Sequence, residues 1–494
     1  MVTIERAVGP TSGHPGARLL RAGIAVVVGS GFLCAALAWS GRTGLFADAY
    51  SHVLYWHDLG RAEAPSITPT ITTPKPLPVL LTGLAWDLGG GADGVRALWI
   101  VLAALLLGGA WLLGERLFGI CGALLGTLLL ARWLVVVPMA VEGRVELLAA
   151  LGLLLALERI FATQRISAGA GLWLCLAGLV RPEPWVWALL LLAAAVIGRS
   201  WKAPESRFSL RAALVALAAP LLWLTWDLLV YGDAFHSRQV TAHWAAVLGP
   251  DVMEISTSQM VAGMAVWLQK AVERIGLGFL LAAVAGLGLV RARNLWGGGV
   301  LALLALVWVV TVAAYGPLRM TNSHRFIDPV YTALWPFAGG ALAALLLLVP
   351  RQMVGVRVLL LAVMSALPLA AALGDLRDFR QTASRLEQPT RATIAALRDV
   401  ARNEPELARG RWLVDNDIAS RIVLETPLDR ASVVTLQAAS AEEIARGPWA
   451  GVVIDDRLQP RVRGTARGQA LAALMAKGKV RYRAPACLVV TTGS

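Results

Sequence analysis

Long apolar runs dominate this chain and restrict its fold more than any other feature of the sequence. A helix that crosses a bilayer needs about 20 predominantly apolar residues, and by that measure about 11 helices are predicted. They cover residues 19–39, 95–113, 117–137, 145–161, 168–181, 184–198, 210–231, 275–290, 296–315, 329–349 and 355–373. Hydrophobic residues make up 57% of the chain and charged residues 16%, which is typical of a membrane protein. The sequence therefore predicts a polytopic α-helical membrane protein with about 11 transmembrane helices.

The net charge of +13 is spread over the short connectors between these runs and a C-terminal tail. A clustered basic surface would indicate nucleic acid. Here, however, every connector that the topology places in the cytoplasm carries at least one Arg or Lys, as the positive-inside rule expects. This pattern predicts a cytoplasmic N-terminus in the plasma membrane and no nucleic-acid partner. The longer connectors then lie on the extracytoplasmic side, at 41–94, 138–145, 232–274 and 316–328.

The composition changes after about residue 374, where charged residues become frequent. A solvated helical stretch over 375–410 precedes short β-like runs, with a helical pattern at 465–477 between the last two of them. The runs are 411–415, 421–425, 432–436, 451–455 and 486–492. Strands that alternate with helices indicate a small α/β domain. We therefore divide the chain into a transmembrane domain, 1–373, and a soluble extracytoplasmic α/β domain, 374–494.

The segment 41–94 is the only long polar interruption in the first two hundred residues. Asp48 and His52 follow soon after the first apolar run, and Lys75 lies between two prolines in a proline-rich stretch. Proline fixes φ and removes a hydrogen-bond donor, so this stretch should be a constrained loop. A carboxylate, two imidazoles (His52 and His57) and an ammonium just outside a membrane helix suggest a site that faces water at the bilayer surface. The alternative is a connecting loop with solvated charges.

Two further groups of charged residues lie at predicted outer helix ends. Glu142, Arg144 and Glu146 are packed into one short segment, and on a helix the two glutamates, four residues apart, would share a face. They could bind a hard cation or divide acid and base roles, or simply complement the helix dipole. Arg181 and Glu183 flank a proline and could pair with each other, or Arg181 could face a phosphate.

Lys75 and the pair His324–Arg325 are the other candidates for contacting a phosphate group. Each precedes a helix start that is marked by proline, and each falls in a predicted extracytoplasmic segment. Lys75 could equally be a solvated loop cation. Arg325 lies almost at the start of a membrane helix, where a buried charge without a partner would be costly.

Several of these motifs together resemble the C-type integral-membrane glycosyltransferases, above all the branch with protein mannosyltransferases and aminoarabinose transferases. The resemblance covers roughly residues 15–373 and rests on a set of short motifs. These are FADAYSH, TTPKPLP, VEGRVELLAALGLLLALER, GLVRPEPW and SHRFIDPVYTALWPFAG. The tail beyond these motifs matches no family that we can name.

The resemblance implies a reaction and a set of partners. A polyprenyl phosphate carries the sugar donor in the outer leaflet, and the acceptor is a cell-envelope glycan, lipid or protein. An acidic residue of the first loop, here Asp48, deprotonates the acceptor or helps to hold a divalent metal ion, while basic residues neutralise the departing phosphate. One departure is that Asp48 is followed by Ala49 rather than by a second acid. A second carboxylate would therefore come from elsewhere, such as Glu142 or Glu146.

The resemblance therefore assigns Asp48, Glu142 and Glu146 to catalysis. Six residues are the predicted substrate-binding set: His52, Lys75, Arg144, Arg181, His324 and Arg325. A transporter or flippase of a lipid-linked or small anionic solute is the alternative function. Transporters usually show internal repeats and charged residues in mid-helix, whereas here no repeat is visible and the charges collect at outer helix ends. A non-catalytic scaffold would leave the loop carboxylates and cations unused.

Overall fold

The structure is a computed structural model. It describes residues 15–40, 44–60, 73–132, 136–200, 209–248, 272, 276–293, 305–308, 310–311, 328–436, 439–455, 466–484 and 487–491. The predicted candidates His324 and Arg325 lie outside these ranges, as does most of the helix predicted over 296–315.

Up to residue 403, the described chain is built mainly from thirteen helices. They are α1 Pro15–Ser40, α2 Ala47–Gly60, α3 Pro76–Gly89, α4 Ala92–Arg132, α5 Val136–Val141, α6 Glu146–Thr163, α7 Ala168–Gly178, α8 Glu183–Ser200, α9 Leu210–Tyr231, α10 His236–Leu248, α11 Leu277–Arg293, α12 Asp328–Leu348 and α13 Val354–Asn403. Most predicted spans therefore recur as helices with ends shifted by a few residues.

Within the described chain, five helical stretches are long and apolar enough to cross a membrane. They are Gly16–Ala38, Ala92–Arg132, Leu210–Tyr231, Asp328–Leu348 and Val354–Gln381. Shorter apolar helices lie at Ala168–Gly178, Glu183–Ile197 and Leu277–Val290. Large apolar side chains such as Val27, Leu229 and Leu359 are more than half exposed, which suits contact with lipid. The count of about 11 crossings stays a prediction.

Helix α4 joins two predicted spans, 95–113 and 117–137, and is broken between them. Gly119 has φ +72 and ψ −172, a conformation that only glycine adopts readily. A Cβ on Gly114 would lie 2.9 Å from the Cα of Ala123, a closeness that an uninterrupted helix could not produce. The two halves of α4 therefore fold back on each other at Gly119, as two separate spans would.

Small residues let the membrane helices approach closely. A Cβ on Gly339 of α12 would lie 2.1 Å from the backbone nitrogen of Gly126 in α4. Without water around them, membrane helices associate through such close packing. The buried core around this contact includes Trp99, Leu154 and Phe337, which joins α4, α6 and α12.

The C-terminal part contains a five-stranded sheet with helices around it. Its elements are α14 Pro405–Arg409, β1 Arg411–Val414, α15 Asn416–Glu425, β2 Val433–Thr435, α16 Ala441–Arg446, β3 Trp449–Asp455, α17 Ala466–Lys477, β4 Lys479–Ala484 and β5 Cys487–Thr491. The strand order is β2-β1-β3-β5-β4, with β1 parallel to β2 and β3, and β5 antiparallel to β3 and β4. Trp412 and Leu413 pack into two different apolar clusters, so helices cover both faces of the sheet.

The prediction of a strand at 421–425 is wrong, because this segment forms the second half of α15. Ile418 and Ile422 are spaced four apart and pack into the same cluster as Trp412, which is the spacing of a helix face. Arg421 and Glu425 also pair at that spacing, with Nε–Oε1 2.9 Å. The β-branched residues of the segment favoured a strand, but the pattern of burial is helical.

Two more features of this region differ from the sequence interpretation. The edge strand β4 was not predicted, although its residues KVRYRA alternate charged and apolar side chains as a half-exposed strand does. Helix α13 runs through residue 373 without a break. The proposed division at 373/374 stays a prediction, and the last membrane span continues directly into the polar helix that follows it.

Candidate functional site

Helix α2 carries Asp48 in its first turn and is firmly seated in the fold. Asp48 is only 4% exposed and His52 is fully buried. The backbone N–H of Phe46, just before the helix, donates to the carbonyl of Glu142 at 2.7 Å. A carboxylate in this position also faces the positive end of the helix dipole. The structure thus brings the Asp48 turn against the segment that begins with Glu142.

The expectation that Glu142 and Glu146 share one helix face is wrong. Gly143 has φ +71, so α5 ends before it and α6 begins only at Glu146. A Cβ on Gly143 would lie 3.4 Å from the Cβ of Ala49, which places the turn directly against α2. The two glutamates therefore flank a left-handed turn rather than sit one helical turn apart.

Glu142 and Arg144 pair with each other across this turn. The Arg144 Nη2–Glu142 Oε2 distance is 2.6 Å, and both side chains are about one-fifth exposed. The Arg144 guanidinium lies 4.9 Å from the centre of the Phe46 ring, and the Trp99 indole N–H donates to the Arg144 carbonyl at 2.9 Å. Arg144 therefore packs on Phe46, two residues before Asp48, and its side chain keeps partial access to solvent.

Glu146, Arg181 and Glu183 form a buried group of charges at the ends of three elements. Arg181 Nη2 lies 2.5 Å from Glu183 Oε1, and Arg181 Nη1 lies 3.6 Å from Glu146 Oε1. All three side chains are at most 4% exposed. Since a buried charge is costly unless it is paired, Glu183 accounts for the burial of Arg181. The predicted pairing of Arg181 with Glu183 is present, and Glu146 joins it.

Lys75 precedes α3 as its N-cap residue, with Pro76 at the first helical position. Its side chain is 9% exposed, so it is not the freely solvated loop cation of the alternative interpretation. Of the proline-rich stretch predicted as a constrained loop, residues 73–75 are non-helical, whereas Pro76 and Pro78 lie in the first turn of α3, where proline is tolerated. Residues 41–43 and 61–72 lie outside the described ranges, and most of the other residues of segment 41–94 are helical, in α2, α3 and the start of α4.

The turn before Lys75 is held by a polar group that the sequence did not reveal. Ser237 Oγ donates toward the carbonyl of Pro74 at 3.2 Å and lies 2.9 Å from Asp227 Oδ1. The Ser237 backbone N–H donates to Asp227 Oδ2 at 2.9 Å, and the Trp223 indole N–H donates to Ser237 Oγ at 3.0 Å. The one signal in the sequence was Asp227 itself, an acid in the last turns of an apolar helix.

An aromatic group continues from this corner toward α2. Tyr231 stacks on His236 with ring centres 4.0 Å apart and meets Tyr55 edge-on at 6.3 Å. Burial lowers the pKa of His236, so its imidazole is neutral at pH 7. These rings join α2 to the start of α10 at the same end of the bundle as Lys75.

Helix α2 also contacts α3 through Asp87. Trp56 Nε1 donates to Asp87 Oδ2 at 2.7 Å, and His57 Nε2 lies 3.3 Å from Oδ1. The hydrogen bond from Trp56, followed by that with His57, lowers the pKa of Asp87. His57, one of the imidazoles of the polar segment, is thus engaged at the surface between two helices.

The C-terminal part reaches α2 directly, which sequence reasoning missed altogether. Tyr50 Oη donates to Glu425 Oε1 at 2.9 Å, and the hydroxyls of Ser51 and Ser420 lie 3.0 Å apart. Arg430 pairs with Asp58. Burial raises the pKa of Tyr50, so its hydroxyl stays protonated and remains a donor. The sheet region is therefore packed on the helix that carries Asp48.

The predicted divalent metal has no fitting donor set among the residues that the structure describes. No group of three or more His, Cys, Asp or Glu side chains there could hold a cation. Glu142 is bonded to Arg144, and Glu146 lies beside Arg181. Hard cations need several converging oxygen ligands, and these carboxylates are committed to guanidinium groups instead.

No family model matches the sequence, and no curated protein matches it. Solved structures do match over almost the whole chain. ArnT from Cupriavidus metallidurans bound to undecaprenyl phosphate matches with a TM-score of 0.58 and 15% identity, over 98% of this chain and 99% of its own. The Archaeoglobus fulgidus oligosaccharyltransferase tethered with an acceptor peptide matches with a TM-score of 0.54 and 13% identity, over 96% and 74%.

The same oligosaccharyltransferase in complex with Zn and sulfate matches with a TM-score of 0.55 and 13% identity, over 95% of this chain and 73% of its own. At such identities the matches establish a shared fold. The resemblance to C-type integral-membrane glycosyltransferases, predicted from short motifs over residues 15–373, is thereby confirmed for the fold, and so is the polytopic membrane class.

Proposed function

We propose that the protein is a membrane glycosyltransferase that moves a sugar from a polyprenyl-phosphate donor to an acceptor at the extracytoplasmic surface. One observation supports this most: α2, the turn 142–146, the Lys75 turn and the C-terminal part are joined by contacts at one end of the bundle. The solved structures with this fold include one bound to undecaprenyl phosphate and one tethered with an acceptor peptide, which supports the same pair of substrate classes here.

In the proposed reaction the acceptor hydroxyl attacks the anomeric carbon of the donor sugar. A bond forms between the acceptor oxygen and that carbon, while the bond between the carbon and the phosphate oxygen breaks. The hydroxyl proton passes to the Asp48 carboxylate, and the bonding electron pair leaves with the polyprenyl phosphate. Attack opposite the leaving group inverts the anomeric configuration.

Cations near the phosphate stabilise the charge that it gains as it leaves. Lys75 is the first candidate for this role within the described chain, because the Ser237–Pro74 hydrogen bond fixes its turn against α10, and the start of α10 meets α2 through the rings of His236, Tyr231 and Tyr55. Arg325 and His324 remain proposals from the sequence. Arg144 keeps partial exposure beside Asp48 and is proposed to contact the substrate there, whereas Arg181 positions Glu146 and Glu183.

The proposed orientation puts the N-terminus in the cytoplasm and the C-terminal α/β region outside the plasma membrane. It rests on the distribution of Arg and Lys among the connectors. Reporter fusions after residue 373 test it directly. A cytoplasmic signal from that fusion would move the proposed site to the wrong side of the membrane and would contradict the proposal.

The activity test is incubation of purified protein with a panel of polyprenyl-phosphate sugars and measurement of free polyprenyl phosphate. Asp48→Asn should lower turnover by about 10²–10⁴, the usual contribution of a positioned base, with donor binding retained. Asp93→Asn is a matched control, because Asp93 starts another helix and is largely exposed. Movement of intact lipid-linked sugar across vesicles without sugar transfer would favour the flippase alternative.

A further inference from the structure

Contacts from the C-terminal part lie on both sides of Asp48 in the chain, one before α2 and the others within it. Before it, the backbone N–H of Gly44 donates to Glu387 Oε2 at 2.7 Å. After it, Tyr50 donates to Glu425 and Ser51 meets Ser420. A short segment of chain that carries the candidate base is thus fixed at both ends by groups more than three hundred residues away.

Arg421 is the centre of this arrangement. Its Nη1 and Nη2 donate to the two carboxylate oxygens of Glu387 at 2.8 and 2.7 Å, and its Nε donates to Glu425 Oε1 at 2.9 Å. Its guanidinium also lies 5.6 Å from the Tyr50 ring centre. All three nitrogens of the side chain are therefore used. A planar fork that serves two carboxylates at once is specific to arginine.

The charges of this group balance, and its two central side chains, those of Arg421 and Glu387, have little contact with water. Glu387 also accepts a hydrogen bond from Arg391 Nε at 2.7 Å, so two guanidinium groups face two carboxylates. The side chains of Arg421 and Glu387 are each 10% exposed. Although burial opposes ionisation of Glu387, the hydrogen bonds from Arg421 and Arg391 lower its pKa. Each charge in the group is paired with a neighbouring charge, so the group fixes the relative positions of α13, α15 and the chain before α2.

The backbone at Gly44 lies so close to this group that a side chain there would have to displace the ends of Arg421 and Glu387. A Cβ there would lie 2.5 Å from Arg421 Nη1 and 2.6 Å from Glu387 Oε2. Glycine is the residue that allows such a close approach of backbone to charged side chains. The contact therefore sets the position of the chain that leads into α2, only a few residues before Asp48.

We propose that the C-terminal part is a positioning element for α2, and that Arg421 is the positioning residue that keeps Asp48 in its reactive orientation. We call the group of Glu387, Ser420, Arg421 and Glu425 the α2 clasp. The kinetic part of this inference rests on the proposed function, whereas the structural part, that the clasp holds α2, does not.

The structural part is tested with a disulfide in the full-length protein. Cysteines at Ser51 and Ser420 would have their sulfur atoms within bonding reach, because the two hydroxyl oxygens are 3.0 Å apart. The background lacks Cys34, Cys121, Cys175 and Cys487. We expect Ser51→Cys with Ser420→Cys to cross-link readily under mild oxidation, and the control pair Ser51→Cys with Ser440→Cys not to do so. Equal cross-linking of both pairs, or of neither, would overturn the clasp.

The kinetic part is tested by removing the fork and then restoring the contact. Arg421→Met should lower kcat by about 10²-fold, since a misplacement of about 1 Å can cost that much, with donor affinity unchanged. Arg421→Lys keeps the charge without the fork and should fall in between. Arg446→Met is the matched control, because Arg446 pairs with Glu442 on the exposed surface of the same region.

The Ser51–Ser420 disulfide in the Arg421→Met protein should return most of the lost kcat, and reductant should remove it again. A variant that is merely unfolded would not respond reversibly to oxidation. If the disulfide forms but leaves kcat at the Arg421→Met level, the positioning role is refuted while the proposed function stands. If the unmodified protein transfers no sugar from any donor, the proposed function fails, and the cross-linking result still decides whether the clasp exists.

Discussion

Asp227 offers a sharp test of how the Lys75 turn is held. Its two carboxylate oxygens accept from the backbone N–H and the hydroxyl of Ser237, each at 2.9 Å, and the residue is 1% exposed. Asp227→Ala removes both acceptors and leaves the Ser237 N–H buried without this bond. A hydrogen bond to a charged group contributes about 1.5–3 kcal/mol. Because the two bonds share one residue and are not additive, we expect a loss of about 3 kcal/mol in unfolding free energy.

The amide variant should behave differently, because Ser237 Oγ has a single proton to donate. In the unaltered protein that proton faces both Asp227 Oδ1 and the Pro74 carbonyl. In Asp227→Asn the amide can donate to Oγ, which frees the hydroxyl proton for Pro74, while the amide oxygen accepts from the Ser237 N–H. We therefore expect Asp227→Asn to cost only about 1 kcal/mol and to keep the Lys75 turn in place.

The measurements are thermal unfolding in detergent and binding of a short-chain polyprenyl phosphate. Asp227→Ala should lower both the unfolding temperature and the affinity for the lipid phosphate, and Asp227→Asn should preserve the affinity. Asp233→Ala is the control, since Asp233 caps the same corner from its exposed side through Phe235 N–H. If folded Asp227→Ala protein binds the lipid phosphate as tightly as the unaltered protein, either this corner does not hold Lys75 or Lys75 does not contact the phosphate.

Two further predictions concern the buried clasp and the turn beside α2. Because the folded-state pKa of Glu387 lies below the ordinary value of 4.5, its contribution to stability is complete above about pH 4.5 and is lost as the pH falls through the folded pKa. Glu387→Gln should therefore be less stable at pH 7 and should show a flatter loss of unfolding temperature on acidification; equal acid sensitivity in both proteins would contradict this. Gly143→Ala forces a left-handed conformation on a residue with a Cβ and should lower the unfolding free energy by about 1–2 kcal/mol. Thermal unfolding measures this loss. Gly355→Ala is the control and should cause no such loss, because a Cβ at this exposed position of α13 meets nothing within 4 Å.

The membrane helices could be predicted because their signals are local. The span predicted over 210–231 coincides with α9, whose start is capped by Ser209 and whose end is closed by Gly232 in the left-handed conformation. Both the N-cap and the C-terminal glycine form their contacts within one turn of the helix end that they close. Apolar length, a polar N-cap and a C-terminal glycine are readable from the sequence without knowledge of any distant neighbour.

Secondary structure was predicted wrongly from local sequence where contacts with distant residues determine it. The segment 421–425 has a β-branched centre, but Ile418 and Ile422 pack on Trp412 only when the segment is helical. Likewise, the spacing of Glu142 and Glu146 suggested a shared helix face. The left-handed conformation of Gly143 between them interrupts the helix, so the two residues do not share a face. The sequence alone does not show which φ a glycine adopts.

The contacts that build the candidate site were beyond sequence reasoning for a different reason. Pro74 and Ser237 are 163 residues apart, and Tyr50 and Glu425 are 375 apart. No periodicity links such positions, so the sequence could nominate Asp48 and Lys75 as individual candidates but not the groups that hold them. The contacts of Asp227 with Ser237 and of Arg421 with Glu387 are visible only in the structure.

The continuity of α13 explains how a C-terminal part can hold α2 with useful precision. The helix runs from Val354, in the last apolar stretch, to Asn403, and Glu387 lies within it. A flexible linker would leave Glu387 free to sample many positions, and the bond from Gly44 would have to offset that loss of entropy. A helix instead fixes the rise and rotation of each residue, so the membrane span itself presents Glu387 to Gly44. Arg421 then binds Glu387 and so connects the sheet region to α13. Under the proposed arrangement, the position of Asp48 depends on this C-terminal region as much as on helix α1, which precedes it.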